Sequence, residues 1–322
     1  DIVALYQRNH RLSQITQVMK HDESCTSIIQ KNIDRYLNEG LSSNTVRGVK
    51  RVTIISWDLC RNHFSKPFAL AEALSKSYDV TLVSFRFFEE KIFPPLNGVV
   101  PQFKTVYLQG RNFPDYFKDL FKAVEAIDAD IVYVVKPRLP SLGLALLANV
   151  KRNIPIILEI NDLETVVASP KKRDTHGEAV LNPDLADFEE LKNPFSDTWS
   201  RVMDPIAKQL PVLVTHNKGL DGHFNRRCLY MRNLKDESVY DPEKYDRDTV
   251  RYDLGFTNKD RVILFGGLLR KHKGIYELVE LIERLNDPVY KLLFVGFRVR
   301  KEKKKLVERF GDQIRVLPPQ DR

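Results

Sequence analysis

The chain has little sulfur and little tryptophan, with three cysteines, three methionines and two tryptophans in 322 residues. Cys25, Cys60 and Cys228 stand far apart and are odd in number, which excludes a disulfide framework and a cysteine zinc motif and points to a reducing compartment. No apolar run reaches membrane-spanning length. The phosphate-loop signature G-x-x-x-x-G-K-[ST], the dinucleotide fingerprint G-x-G-x-x-G and the zinc-protease motif H-E-x-x-H are all missing, so none of those chemistries has its main support. His63, His176, His216, His223 and His272 show no metal-ligand spacing, and a surface or structural role fits each better than catalysis. Asp128-Ala129-Asp130 matches a D-x-D metal motif but precedes a predicted strand, at the amino end of a sheet, away from where sites form. No metal is expected.

What is present describes a soluble globular chain, 43% hydrophobic and 29% charged, long enough for two domains. A net charge of +8 favours anionic partners: nucleotides, phospholipid surfaces or nucleic acid. Lys301, Lys303, Lys304 and Lys305 form the largest basic cluster, but no aromatics interleave with them. A solvated helix face therefore fits better than a nucleic-acid groove, and no nucleic-acid partner is expected.

Residues 1–45 differ from the rest. Leu5, Leu12, Ile15 and Met19, then Ile29, Ile33, Tyr36 and Leu37, recur at helical spacing in polar sequence, which predicts an N-terminal helical extension ending in the linker Gly40–Gly48. Packing on the main body, a coiled-coil contact giving an oligomer through residues 1–40, or a junction to an upstream domain all fit it. From Arg51 onward strands and helices alternate. Strands are predicted at Val52–Ser56, Val80–Phe85, Lys104–Leu108, Ile131–Val135, Ile154–Ile160, Val212–Thr215 and Cys228–Met231. Helices are predicted at Pro67–Ser75, from Phe113 to Ile127, at Ser141–Val150 and around Thr198–Gln209. This alternation implies a parallel sheet covered on both faces, with ligands beyond the carboxyl ends of its strands. The residues following those ends become candidates: Trp57, Asp58, Asn62 and Lys66, then Lys136 and Arg138, then Asn161 and Asp162. Residues 163–197 lose the pattern and read as a mobile loop with short helices.

The stretch Arg261–Gly274, RVILFGGLLRKHKG, starts a second unit of the same kind. Val262–Phe265 reads as a buried strand, Gly266 and Gly267 end it, and Ile275, Leu278, Val279, Ile282 and Leu285 follow helical spacing. Glycines admit close backbone approach, and a helix start offers free N–H groups with a partial positive charge. With Arg270, Lys271 and Lys273 as cations, the unit has the chemistry to hold a phosphate or diphosphate; an ordinary connection with surface lysines fits the same residues. A strand at Lys291–Val295, a basic helix at Arg300–Phe310 and a strand at Ile314–Leu317 follow, a sheet small enough that the second domain is expected to be incomplete.

Several segments together resemble the GT-B glycosyltransferases, and among them the retaining "glycosyltransferase group 1" family, family 4. RVILFGGLLRKHKGIYELVELIERL resembles the opening of that family's nucleotide-sugar domain, with Gly267, Lys273 and Gly274 matching its glycine and its Lys-Gly. LYMRNLKDESVYDP resembles the connection before it, with Asn233 and Pro242 in register, and KLLFVG the next strand, ending in Gly296. In the first domain, PIILEINDLE and NHFSKPFALAEAL resemble strand-end and first-loop segments facing the acceptor. The similarity spans roughly residues 50–322. Three departures stand out: Leu268 occupies the place of the family's Arg, Asn62 to Lys66 replaces its glycine pair, and its second acidic motif would fall beyond Arg322.

The resemblance implies an α/β fold of two doubly wound Rossmann-like domains: the extension over 1–45, an acceptor-side domain over 46–232, and the start of a donor domain over 233–322. It implies a hexosyltransferase-type enzyme that moves a sugar, with retention, from a nucleoside diphosphate sugar to a glycan or lipid-linked acceptor in polysaccharide or cell-envelope assembly. Gly266, Gly267, Arg270, Lys273 and Gly274 would hold the donor diphosphate. Asp162 and Lys273 would be catalytic, and Asn62, Lys66, Lys136 and Asn161 would line the acceptor side. The donor is a substrate and no cofactor is implied. The expected location is cytoplasmic, with peripheral contact at the inner membrane face. The alternative is a non-catalytic GT-B-like module acting through its N-terminal helices, favoured by Leu268 and opposed by Gly267, Lys273 and Gly274.

Overall fold

The computed structural model of the chain describes residues 50–88, 91–164, 188–234, 241–267, 273–296 and 306–318. The expected N-terminal helices, Arg270 and Lys271, most of the loop after Asp162 and the first part of the basic helix at Arg300 lie outside these residues. The chain divides into two units, at Lys235 and Asp236.

The first unit is a seven-stranded sheet in the order β3-β2-β1-β4-β5-β6-β7. Its strands are β1 (Arg51–Ser56), β2 (Asp79–Arg86), β3 (Lys104–Gln109), β4 (Ile131–Val135), β5 (Ile156–Glu159), β6 (Leu213–Thr215) and β7 (Leu229–Tyr230). Every pairing is parallel. The central strands are near-continuous apolar runs because both faces are covered. Ile55, Val132 and Val134 face one core. That core also contains α2 (Tyr116–Ala126), α3 (Leu144–Arg152) and α5 (Asp197–Ala207), while α4 (Phe188–Lys192) contributes Leu191. Ile54, Tyr133 and Val135 face the other core, against α1 (Ser65–Leu74). A short helix, α6 (Leu220–Phe224), links β6 to β7. Strand order reverses between β1 and β4, so the crevice beyond their carboxyl ends is the ligand position for this topology.

Element boundaries shift from the sequence expectation for local reasons. The helix expected from Phe113 starts at Tyr116, because Phe113 precedes Pro114 and the residue before proline is pushed out of helical geometry. The helix expected from Ser141 starts at Leu144, after a wide turn over Leu139–Gly143. Ser141 Oγ donates to the Lys136 carbonyl (2.5 Å), which ties that turn to the end of β4.

The second unit is a three-stranded parallel sheet, β10-β9-β8. It comprises β8 (Arg261–Gly266), β9 (Tyr290–Val295) and β10 (Ile314–Leu317), with α7 (Arg247–Asp253) preceding it and α8 (Ile275–Leu285) following β8. Ile275 and Ile282 of α8 pack on Leu292, Phe294, Ile314 and Val316 in a core of its own. The glutamates of α8 lie on its exposed side, as its helical spacing predicts.

Candidate functional site

Two places have the geometry of a site: the carboxyl edge of the first sheet and the glycine-rich strand ends of the second. At the first, β1, β4, β5 and β6 each deliver polar side chains just past their last paired residue. Lys66 in the first turn of α1 forms an ion pair with Glu159, which is fully buried at the end of β5. Tyr133 on β4 donates its hydroxyl to the same carboxylate (2.9 Å). Burial, then the neighbouring Glu159, pushes the Tyr133 phenol well up, so it stays protonated as a donor. Lys66 Nζ also donates to Asn161 Oδ1 (3.2 Å), and His216 Nδ1, just past β6, lies 2.8 Å from that oxygen.

Beside this chain runs a second one. Lys136 Nζ bridges Asp162 Oδ2 (3.1 Å) and Glu164 Oε1 (2.5 Å). Arg138 Nε donates to Glu164 Oε2 (2.7 Å), and its Nη1 to the Phe195 carbonyl (3.1 Å). Burial raises the Glu164 pKa, but the Lys136 and Arg138 charges and hydrogen bonds outweigh it and leave the carboxyl below its ordinary value. Lys136 adopts φ 73°, left-handed geometry in a residue with a Cβ. Such strain costs about 1–3 kcal/mol and persists where surroundings over-determine it. Here the Lys136 N–H donates to the Glu159 carbonyl (2.9 Å) while its own carbonyl accepts from Ser141 and from the Arg138 N–H.

Aromatic rings support the cluster from below. The Arg138 guanidinium lies 4.7 Å from the Trp57 ring, and Trp57 stacks on His63 at 4.3 Å. His63 Nε2 lies 3.1 Å from Asp58 Oδ2, and Asp58 is fully buried. Burial lowers the His63 pKa against the pull of Asp58, and the Lys136 and Arg138 cations lower it further, so the ring is neutral at pH 7. The Cys60 thiol is pushed up to about 11 by burial and by Asp58, so it is no thiolate nucleophile.

The structure thus brings together Lys66, Lys136, Asn161 and Asp162, with Asp162 half-exposed at the rim. Asn62 is exposed, with its carbonyl accepting the Ser65 hydroxyl (2.7 Å), and its side chain joins no bond among the described residues. Sequence reasoning missed Glu159, Glu164, Tyr133 and His216. The acidic pair stands inside the quoted PIILEINDLE segment, so a search for partners to Lys66 and Lys136 had a signal to follow. Of the surface and structural roles expected for His63, the structure shows the structural one, with the ring between Trp57 and Asp58. Asp128 and Asp130 lie at the opposite edge, where both pair with Arg51. No group of three potential metal ligands occurs among the described residues.

In the second unit, β8 and β9 end in glycines whose backbones touch. Gly267 has φ 139° and its N–H donates to the Val295 carbonyl (2.9 Å); Gly296 has φ 99°. A Cβ on Gly296 would stand 3.1 Å from the Gly267 carbonyl oxygen and 3.3 Å from its carbon. Gly274, at φ 81°, precedes α8 and has no side chain to cap its first-turn N–H groups, the groups that bind an anion where one sits at a helix start. Lys273 beside it is exposed. Gly266, Gly267, Lys273 and Gly274 therefore lie around one strand end and the helix start that follows it, while Arg270 lies outside the described residues.

No family model matches the chain, and no curated protein matches it in sequence. Solved structures do share its fold. The chain is similar to the Anabaena protein Alr3699/HepE, solved in complex with UDP-glucose, at 15% identity and a TM-score of 0.57, over 84% of this chain and 69% of that one. A glycosyltransferase from Rickettsia africae is similar at 12% identity and a TM-score of 0.54, over 84% and 68%. The fold is α/β with two Rossmann-like parallel-sheet units, of the GT-B type. No helix among the described residues is long and apolar enough to cross a membrane.

Proposed function

We propose that the chain is a glycosyltransferase that takes its sugar from a nucleoside diphosphate donor. The observation carrying this is the second unit's strand, glycine contact and uncapped helix start, with Lys273 and Gly274 at its threshold. The Anabaena protein with this fold was solved with UDP-glucose, which supports a uridine nucleotide as the first donor to test. The Gly266–Gly267 backbone, the α8 N-terminus and the Lys273 and Arg270 cations bind the diphosphate. As the sugar–phosphate C–O bond breaks, negative charge grows on the leaving phosphate oxygen, and fixed positive charge there lowers the barrier. The acceptor hydroxyl oxygen forms the new C–O bond on the face the phosphate leaves, and its proton passes to the departing phosphate, giving retention without a metal.

Asn161, Lys136, Asp162 and Lys66 serve the acceptor, a glycan or lipid-linked sugar. Their alternation of donors and acceptors suits hydroxyl groups better than a phosphate, because each cation is already bound by a carboxylate. Asp162, half-exposed and held by Lys136, is the carboxylate available to a hydroxyl. The net charge of +8 supports peripheral contact with an anionic membrane face, in polysaccharide or envelope assembly. Thermal-shift titration with UDP, GDP and their sugar conjugates tests the donor reading. A rise in Tm with one nucleotide series is expected, and a folded chain that responds to none contradicts it.

A further inference from the structure

The hydrogen-bond chain at the first sheet's edge fixes the direction of its last members. Lys66 carries only donors, so the Asn161 atom 3.2 Å from its ammonium is the amide oxygen. Glu159, itself held by the Tyr133 hydroxyl, pairs with that ammonium from the buried side. Asn161 therefore cannot flip without setting its own NH2 against a cation. His216 Nδ1 lies 2.8 Å from the same oxygen, which has only lone pairs to offer, so Nδ1 carries the ring proton. In neutral His216 the bare nitrogen is then Nε2. Among the described residues the bonds of these two side chains all run through the Asn161 oxygen, and none reaches His216 Nε2 or the Asn161 NH2.

We infer that His216 Nε2 and the Asn161 NH2 are a pre-set acceptor and donor pair that binds hydroxyl groups of the acceptor sugar. A sugar hydroxyl donates to Nε2, and the oxygen of that hydroxyl or its neighbour accepts from Asn161. This deepens the transferase reading and rests on it for the identity of the ligand. The arrangement itself follows from Lys66 alone. His216 acts in binding, and the proton released in transfer still leaves on the donor phosphate.

Long-range nitrogen–proton NMR correlations of the 322-residue chain read the tautomer of His216 directly. The tautomer expected for the neutral ring is Nδ1–H. In Asn161→Leu the oxygen is gone and the ring should shift to the Nε2–H form that free imidazole side chains favour. Lys66→Met should give a mixture, since Asn161 can then turn; if that variant does not fold, Asn161→Leu carries the comparison. Methyl glucoside, a probe presenting hydroxyls on every face, should move the wild-type Nε2 signal saturably, with the response lost in Asn161→Leu, which keeps the ring but loses the NH2 donor and the bare Nε2. A wild-type Nε2–H tautomer, a doubly protonated ring, or an Nε2 signal indifferent to methyl glucoside overturns the inference. Because none of these readings needs a nucleotide, a chain that fails to bind any nucleotide sugar but shows the Nδ1–H form and the glucoside response loses the donor reading and keeps this site.

Discussion

Lys136 is the most constrained residue of the candidate site. It sits in left-handed geometry with its ammonium between two carboxylates, one of them, Glu164, almost fully buried. Removing that ammonium leaves Glu164 with Arg138 alone. Lys136→Met is expected to cost about 1–3 kcal/mol of stability, read by urea unfolding; an unchanged midpoint and slope would mean that Arg138 suffices. Gly296 is constrained by a backbone contact instead. Gly296→Ala places a Cβ against the Gly267 carbonyl in a conformation L-residues avoid, and should cost about 1–3 kcal/mol. Hydrogen exchange in β8 and β9 should rise with it. Equal protection in the two proteins would show that the contact yields freely.

Asp130 gives a residue-scale pH test away from the site. The N–H groups of Lys50 and Arg51 and the Arg51 side chain hold its carboxyl down, from 3.8 to about 2. Between those values the unfolded chain binds the proton and the folded one does not. The contribution is thus fully present above the unfolded value and fades as pH falls through about 2. Asp130→Asn should be less stable than wild type at pH 6, and the gap should close as pH approaches 2. A constant gap across that range contradicts the pairing.

At the scale of elements, the central strands of the first sheet were legible because they are buried on both faces: Val52–Ser56 and Ile131–Val135 are apolar runs of strand length, and β1 and β4 lie on them. Val262–Phe265 is such a run too and β8 lies on it, but the buried strand expected there is only half-buried, with Leu264 exposed, because few elements cover the three-stranded sheet. Helix starts were less legible, since Pro114 and the Ser141 hydrogen bonds act through geometry that periodicity does not encode. The rule that ligands gather beyond strand ends found Lys66, Lys136, Asn161 and Asp162. It did not find Glu159 or His216, because which acid meets which lysine depends on strand order, and β4, with β5 next to it, lies beside β1 only in three dimensions. For His63 the surface or structural role read from the sequence resolves to a structural one, with the ring stacked on Trp57 and set against Asp58.

For the whole molecule, the two sheets carry complementary chemistry. In the proposed reading the first serves hydroxyls with bound cations, carboxylates and amides, and the second serves an anion with a helix start that Gly274 leaves without a side-chain cap. The most direct test of that division is calorimetric titration of the 322-residue chain with UDP-glucose, beside Lys273→Ala. The account predicts saturable binding by the wild type and a loss of about tenfold or more in the variant, the worth of one charge-assisted hydrogen bond. A folded wild type that does not bind UDP-glucose, or a variant that binds it equally well, contradicts the assignment of the donor site to this strand end and helix start.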